Sequence, residues 1–310
     1  MTEHDDDLVL VSWNLEADGE ITDTGDAGPA WHLAHDILAE VGPDILLRQE
    51  MKYSRTDTMR RLHDAELRLG MSGYLAPDNP GAPDLPSGVF LRPGLFEVNT
   101  HHTPSRPWWL RPCHLTVRLG DCPRPLDLIS FHMCFYDPAT RSAEAQWLTL
   151  GAEPGRASLI AGDCNSYPDH TRNAVERVIL PDWDTVPDRA HATHRTIYEL
   201  GCRVSDTRPD RILCDAGYVD LARHACTELE QPSALHPTAG YDKRHQSGPQ
   251  RIDRAYASAG LHRAVTSVEV IDTDQTRRAS DHAMLVVRLS RRELENALTP
   301  ETSEEYHLAS

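Results

Sequence analysis

The chain has 310 residues, 39% apolar and 25% charged, with a formal net charge of −17 and seven cysteines. It is long enough to bury a sizeable core. No apolar run exceeds strand length, which excludes a membrane-spanning helix, and the acidic start MTEHDDD lacks the pattern of a signal peptide, so a cytoplasmic location is expected. The acidity weighs against a protein whose main work is gripping duplex DNA, because cations that neutralise phosphates supply most of that affinity.

Residues 1–7 read as a disordered acidic tail. Leu8–Trp13 is rich in β-formers and predicts a first strand; 16–30 read as a loop. Trp31, Ala34, Ile37, Leu38 and Val41 fall at helical spacing, and Gly42-Pro43 stops that helix. A second strand is expected at Ile45–Arg48 and a helix at Arg55–Leu69, followed by a proline-rich loop over 76–87. Strands near Val89–Leu91, His114–Leu119 and Leu126–Phe131, a helix from Pro138 to Leu150 and a buried strand at Ser158–Ala161 come next. Residues 181–250 show little periodicity apart from a helix near Val219–His224. Strands near Ile252–Ala257, Ala264–Ile271 and Ala283–Leu289 complete one domain over 8–290, and 291–310 form a charged tail, helical at first. Strands mixed with helices, and hairpin-like pairs late in the chain, predict a sheet-on-sheet core flanked by helices.

Polar residues punctuate the apolar runs. Asn14 closes LVLVSWN, Glu50 closes ILLRQE, His132 closes LDLISFH, and Asp163 and Asn165 close SLIAGDCN. Later the order reverses: Asp253 opens RIDRAYAS, and Asp281 and His282 precede AMLVVRL. Strands that leave a sheet at one edge, and others that enter there, gather these groups on one rim. Such a rim can bind a hard divalent cation and hydrolyse a phosphate ester. A Glu at the inner end of an apolar strand is costly unless paired or metal-bound, which makes Glu50 the principal metal candidate, with Asn14 helping it. Asp163 and Asn165, two apart on an extended chain, face the same side and can reach the same phosphate. Asp253 can fix the tautomer of His282 and raise its basicity. Asp281 is expected beside the metal or at a second metal position, and His132 is placed to bind or protonate a phosphate oxygen. Each residue taken alone reads as an ordinary strand-end or turn residue; their shared placement is the argument.

Six motifs carry a family resemblance: Ser12-Trp13-Asn14, Gln49-Glu50, Phe131-His132, Gly162-Asp163-Cys164-Asn165, Arg251–Tyr256 and Ser280-Asp281-His282. Gly88-Val89-Phe90-Leu91 and the Arg111 ahead of HLTVRL are weaker matches. In this order they resemble the endonuclease/exonuclease/phosphatase superfamily, the DNase I-like metal-dependent phosphoesterases. The resemblance implies a four-layered α/β sandwich, two mixed β-sheets packed face to face and flanked by helices. It implies a Mg²⁺ or Mn²⁺ cofactor, with Glu50, Asn14 and Asp281 as the metal set. It makes Asp163 the orienter or base for the attacking water, and Asn165, His132, Asn14 and Arg111 substrate-binding. The implied activity is divalent-metal-dependent phosphate-ester hydrolysis by a monomer, with a phosphodiesterase or nuclease acting on nucleic acid or nucleotides first. The alternatives are a phosphatase of a small phosphorylated metabolite, lipid head group or nucleotide monoester, and a non-catalytic phosphate-binding member.

Other features read more plainly. Lys52, Arg55, Arg60, Arg61, Arg277 and Arg278 could form a basic lip but more often such charges are a solvated face. Trp108-Trp109 is expected to pack under a loop rather than stack bases. His191-x-x-His194 has a zinc-like spacing without cysteine partners and is expected to be solvent-exposed. Arg48 and Arg254 carry no expected role. An odd number of cysteines without C-x-x-C predicts reduced, structural thiols.

Overall fold

The structure is a computed structural model that describes residues 7–22, 25–172, 180–258 and 260–299. Most of the expected N-terminal tail, and the tail beyond Thr299, lie outside the described residues. In chain order the elements are β1 (Asp7–Asn14), α1 (Pro29–Val41), β2 (Ile45–Gln49), α2 (Arg60–Leu69), β3 (Ser72–Leu75), β4 (Gly88–Leu91), β5 (Phe96–His101), β6 (Cys113–Leu119), β7 (Leu126–His132), α3 (Pro138–Leu148), β8 (Ser158–Asp163), α4 (Arg189–Arg195), β9 (Thr196–Glu199), β10 (Cys202–Ser205), α5 (Arg208–Asp215), β11 (Val219–Asp220), α6 (Leu221–Glu228), β12 (Asp253–Ala257), β13 (Val265–Ile271), α7 (Asp274–Ala279), β14 (Met284–Ser290) and α8 (Arg291–Ala297).

Two six-stranded sheets form the body, in the orders β13-β14-β1-β2-β4-β3 and β11-β12-β8-β7-β6-β5. Each is mixed: β1 runs parallel to β2, and β7 parallel to β8, while the other pairs are antiparallel. The period-two alternation of strands decides which residues go where. On β1, Leu8 and Leu10 enter the core between the sheets, while Val9, Val11 and Trp13 turn to the helix side and pack against Trp31, Leu38 and Leu62 of α1 and α2. On β7 and β8, Leu126, Leu128, Leu159 and Ala161 face the intersheet core, and Ile129, Phe131 and Ile160 face Leu148 and Leu213 of α3 and α5. The result is the expected four-layered sandwich.

This parity has a direct consequence. Asn14, His132, Asp163 and Asp253 continue the intersheet faces of their strands, two residues beyond an apolar or small neighbour. They therefore emerge together at one mouth of the sandwich. The register brings them side by side: His132 pairs with Asp163 across β7 and β8, and Asp253 pairs with Asp163 across β12 and β8.

Several local expectations shift. The helix expected over 55–69 begins only at Arg60, because Asp57, Thr58 and Met59 take positive φ (50°, 53° and 61°), incompatible with a right-handed helix. The sequence reading does not anticipate β3 and β5: β3 is only four residues long, and β5 is a largely exposed edge whose alternation stops after Phe96 and Val98. The stretch 181–250 contains α4, a β9–β10 hairpin, α5, β11 and α6, each eight residues or shorter. All seven cysteines are free, as expected.

Candidate active site

Asn14 lies fully buried at the end of β1. Its Nδ2 donates to Glu50 Oε1 (3.2 Å) and lies 3.4 Å from Asp163 Oδ2, so one amide ties the two sheets together. Its Oδ1 is buried without a hydrogen-bond partner. Glu50 follows β2 with φ +56°, a conformation that costs an L-residue of this size on the order of 1–2 kcal/mol. The strain aims its carboxylate into the mouth, where Ala17 N–H donates to Oε2 at 2.8 Å. Ala17 reaches it from a loop in which Glu16, Ala17, Asp18 and Glu20 all have positive φ. Backbone strain of this kind clusters at functional sites.

The second sheet supplies the imidazoles and the central carboxylate. His132 Nε2 lies 3.5 Å from Asp163 Oδ2, and its Nδ1 lies 3.8 Å from Glu50 Oε1. Asp163 Oδ1 accepts from Asn165 N–H at 2.8 Å. Asn165 takes φ +48°, which asparagine tolerates well, and its Nδ2 donates to the Met133 carbonyl at 2.9 Å. Burial would raise the Asp163 pKa, but the positive charges of His132, His282 and Arg195 hold it below the ordinary carboxylate value. His282 Nδ1 lies 2.9 Å from Asp253 Oδ2, and its Nε2 points to Asp163 Oδ2 at 3.9 Å and Asp281 Oδ1 at 3.7 Å. Burial alone would lower the imidazole pKa; Asp253, then Asp163 and Asp281, overcome it and push the pKa up to about 10. The three carboxylates thus favour the imidazolium form of His282, with Nδ1 clamped by Asp253 and Nε2 facing the mouth.

Asp281 is engaged differently from its neighbours: Lys243 Nζ donates to its Oδ2. Glu16 joins this corner. Burial, with the negative charges of Asp281 and Glu50, raises its pKa despite Lys243. Neither Glu16 nor Lys243 was anticipated. Neither offers a sequence signal: Glu16 lies past the end of β1 with φ +21°, outside the strand's alternation, and Lys243 sits in an irregular loop. Arg111 is placed elsewhere. Its guanidinium donates to the Asp78 carbonyl, and it lines a separate cavity with Arg55 and Asn79.

Three plainer readings change. His191 and His194 are not free in solvent: α4 lays them along a cavity that opens on His282, with His191 6.1 Å from the Trp183 ring. Trp108 packs as expected, edge-on to Trp147 at 5.0 Å, but Trp109 stands edge-on to His132 at 5.3 Å. Arg48 and Arg254 are fully buried and tie the loops after β1 and β8 to the sheets, Arg48 through Asp18 (2.6 Å) and Arg254 through Ser166 Oγ (2.8 Å). Of the six cations of the supposed basic lip, four are ion-paired: Arg55 with Asp84, Arg60 with Asp57, Arg61 with Asp18 and Arg277 with Asp272.

The fold has many known counterparts. An AP endonuclease from Archaeoglobus fulgidus superposes with a TM-score of 0.59 at 14% identity, over 91% of this chain and 99% of that one. A mannosyl-6-phosphatase from Bacteroides thetaiotaomicron gives 0.57 at 16% identity, over 90% and 98%. D. rerio TDP2, complexed with a single-strand DNA product, gives 0.55 at 14% identity, over 92% and 99%. No curated protein matches the sequence. The model of the Endonuclease/Exonuclease/phosphatase family matches residues 11–282, a span that begins inside β1 and ends on His282, and the protein belongs to that family.

Proposed function

We propose that this protein is a divalent-metal-dependent hydrolase of phosphate esters. The observation that carries the reading is the convergence of Glu50, Asp163, His132 and the Asp253–His282 pair on one mouth, tied by the Asn14 amide. The residues fit a hard cation. Glu50 offers a carboxylate, Asn14 Oδ1 is a buried oxygen without a partner, and Glu16 and Asp281 add carboxylates at the same corner. Oxygen donors of this kind suit Mg²⁺ or Mn²⁺. When bound there, the ion would neutralise charge on the scissile phosphate. The protein's own groups do the rest. Asp163, oriented by Asn165 N–H, accepts a proton from the attacking water. His282, fixed by Asp253, presents Nε2–H to the phosphoryl or leaving oxygen, and His132 holds a second phosphate oxygen.

The substrate reading is a phosphodiester of nucleic acid or a nucleotide. The family resemblance supports it, as do structural neighbours named as an AP endonuclease and as TDP2 with a DNA product. A phosphatase of a small phosphorylated compound is the second reading. The net charge of −17 and the four ion-paired cations of the lip favour it, because a long polyanion finds little unbalanced positive surface there. We further propose that the catalytic unit spans residues 8–290 and works as a monomer. Among the described residues no helix is long and apolar enough to cross a membrane. Turnover of DNA, RNA, nucleotides, and sugar and lipid phosphates, each with Mg²⁺, with Mn²⁺ and with EDTA, tests the reading. Hydrolysis that persists in excess EDTA would sink it.

A further inference from the structure

The segments 188–195 and 239–250 enclose a cavity of about 340 Å³ that opens on Asp281 and His282. Arg195, the last residue of α4, lines it. Arg195 makes no ion pair with any described residue. A guanidinium on a cavity wall with no carboxylate partner keeps its charge for an anion that arrives from outside. The other cations of the cavity are spent. Lys243 is paired with Asp281, and burial, helped by the charge of Arg195, pushes His191 down to about 4, leaving it neutral. Arg195 stands close enough to Asp163 to help hold that carboxylate ionised.

Part of the wall is aromatic. Phe135 lines the cavity and is 45% exposed, and Tyr136 beside it is 47% exposed. Both meet Trp109 edge-on, at 5.4 and 6.1 Å, and Trp109 leans on His132. Exposed rings grouped at the rim of a catalytic cleft form a surface for a flat ligand group. Gln246, whose Nε2 donates to Asp188 Oδ2 at 2.9 Å, and Gln250 also line the cavity, and amides of this kind can meet the polar edge of such a ring.

We infer that Arg195 is a phosphate ligand, and that the cavity it lines takes the organic group of a small phosphate ester, about one nucleoside in size, with its ring against Phe135. The inference rests on the hydrolase reading and names its substrate class. Three properties converge on it. The volume lies at the low end of the range for small-molecule pockets. A guanidinium matches phosphate with two parallel donors. An aromatic face stacks any base. A duplex would need a run of unpaired cations, whereas among the described residues of this cavity there is a single one, Arg195.

The test has two arms. Calorimetry with inorganic phosphate in Mg²⁺ reads the anion site directly, without turnover. Arg195→Ala should weaken phosphate binding by about ten- to a hundredfold, the worth of charged hydrogen bonds, and Arg195→Lys should recover part of it. Kinetics on a nucleoside monophosphate, a dinucleotide, a hexose 6-phosphate and duplex DNA form the second arm. Arg195→Ala should raise KM for the nucleotides by a similar factor with a smaller change in kcat. Phe135→Ala should raise that KM and leave phosphate binding unchanged. Equal phosphate affinity in wild type and Arg195→Ala overturns the assignment, as does preferred cleavage of duplex DNA that ignores the substitution. A preference for the hexose phosphate overturns the nucleoside-sized reading. Arg195-dependent phosphate binding without turnover of any ester would instead refute the hydrolase reading and leave Arg195 as an anion ligand.

Discussion

Asp253→Asn isolates the contribution of one orienting carboxylate. Asp253 Oδ2 lies 2.9 Å from His282 Nδ1 and is buried with it, so the substitution is isosteric and removes only charge and acceptor character. The magnitude can be bracketed. A hydrogen bond to a charged group is worth roughly 1.5–3 kcal/mol, which sets the lower bound near tenfold in kcat at about 1.4 kcal/mol per decade. The upper bound is about four decades in kcat, the loss when the orienting carboxylate of a Ser-His-Asp triad becomes an amide; here Asp253 leads the carboxylate field that raises the His282 pKa against burial. Since Asp163 and Asp281 share the field, the expected loss falls between these limits. The assay is the initial rate on bis(p-nitrophenyl) phosphate for Asp253→Asn, His282→Ala and the double variant, with thermal melts to show that each is folded. The double variant should be within a few-fold of the worse single, because the pair acts as one unit. A folded Asp253→Asn with near-wild-type kcat, or losses that multiply, refutes the coupling.

Three further outcomes follow from particular contacts. Glu50→Gln should weaken Mg²⁺ or Mn²⁺ binding by calorimetry while the fold persists, and chelation with EDTA should abolish activity until the metal is restored; unchanged metal affinity would remove Glu50 from the site. A Cβ at Gly162 would lie 1.8 Å from the Phe131 carbonyl oxygen on the neighbouring strand. Gly162→Ala must therefore push β7 and β8 apart beside the His132–Asp163 pair, and should lower both Tm and activity; a variant as stable and as active as wild type would refute the register. Burial pushes Glu144 up to about 7 from 4.5, although its carboxylate accepts from Trp109 N–H (2.8 Å) and Cys134 N–H (2.7 Å). A folded-state pKa above the unfolded one means the folded protein holds the proton more tightly. That stabilising contribution is present in full below about pH 4.5 and is lost as pH rises through 7, by on the order of 3 kcal/mol. Denaturant titrations of Glu144→Gln should show a flatter stability profile across that window, and an unaltered slope would count against it.

Much of the site was legible because strands translate sequence parity into geometry. Asn14, His132 and Asp163 each end an apolar run in phase with its intersheet residues, and Asp253 opens one, so the alternating pattern already assigned them to one face and one edge. Order alone also predicted that Asp253 and His282 could meet, since both stand where a strand enters the sheet. Glu50 was legible for a different reason, as a carboxylate too close to an apolar strand to be left uncompensated.

What the pattern could not carry are contacts set by segments without periodicity. Glu16 reaches the corner of Lys243 and Asp281 from a turn in which Glu16, Ala17, Asp18 and Glu20 adopt positive φ, which no residue type there demands. Lys243, Arg195 and the two histidines of α4 arrive on short elements of the 181–250 stretch, whose placement depends on packing of Tyr167, Trp183 and Ala192 rather than on any repeat. Trp108 and Trp109 are identical neighbours in sequence, yet one is core and the other touches His132, because Glu144 on α3 accepts the Trp109 N–H and fixes which ring turns inward. The placement of polar groups at the strand ends is thus written in local alternation, while the cavity beside them depends on long-range packing, which a one-dimensional pattern does not encode.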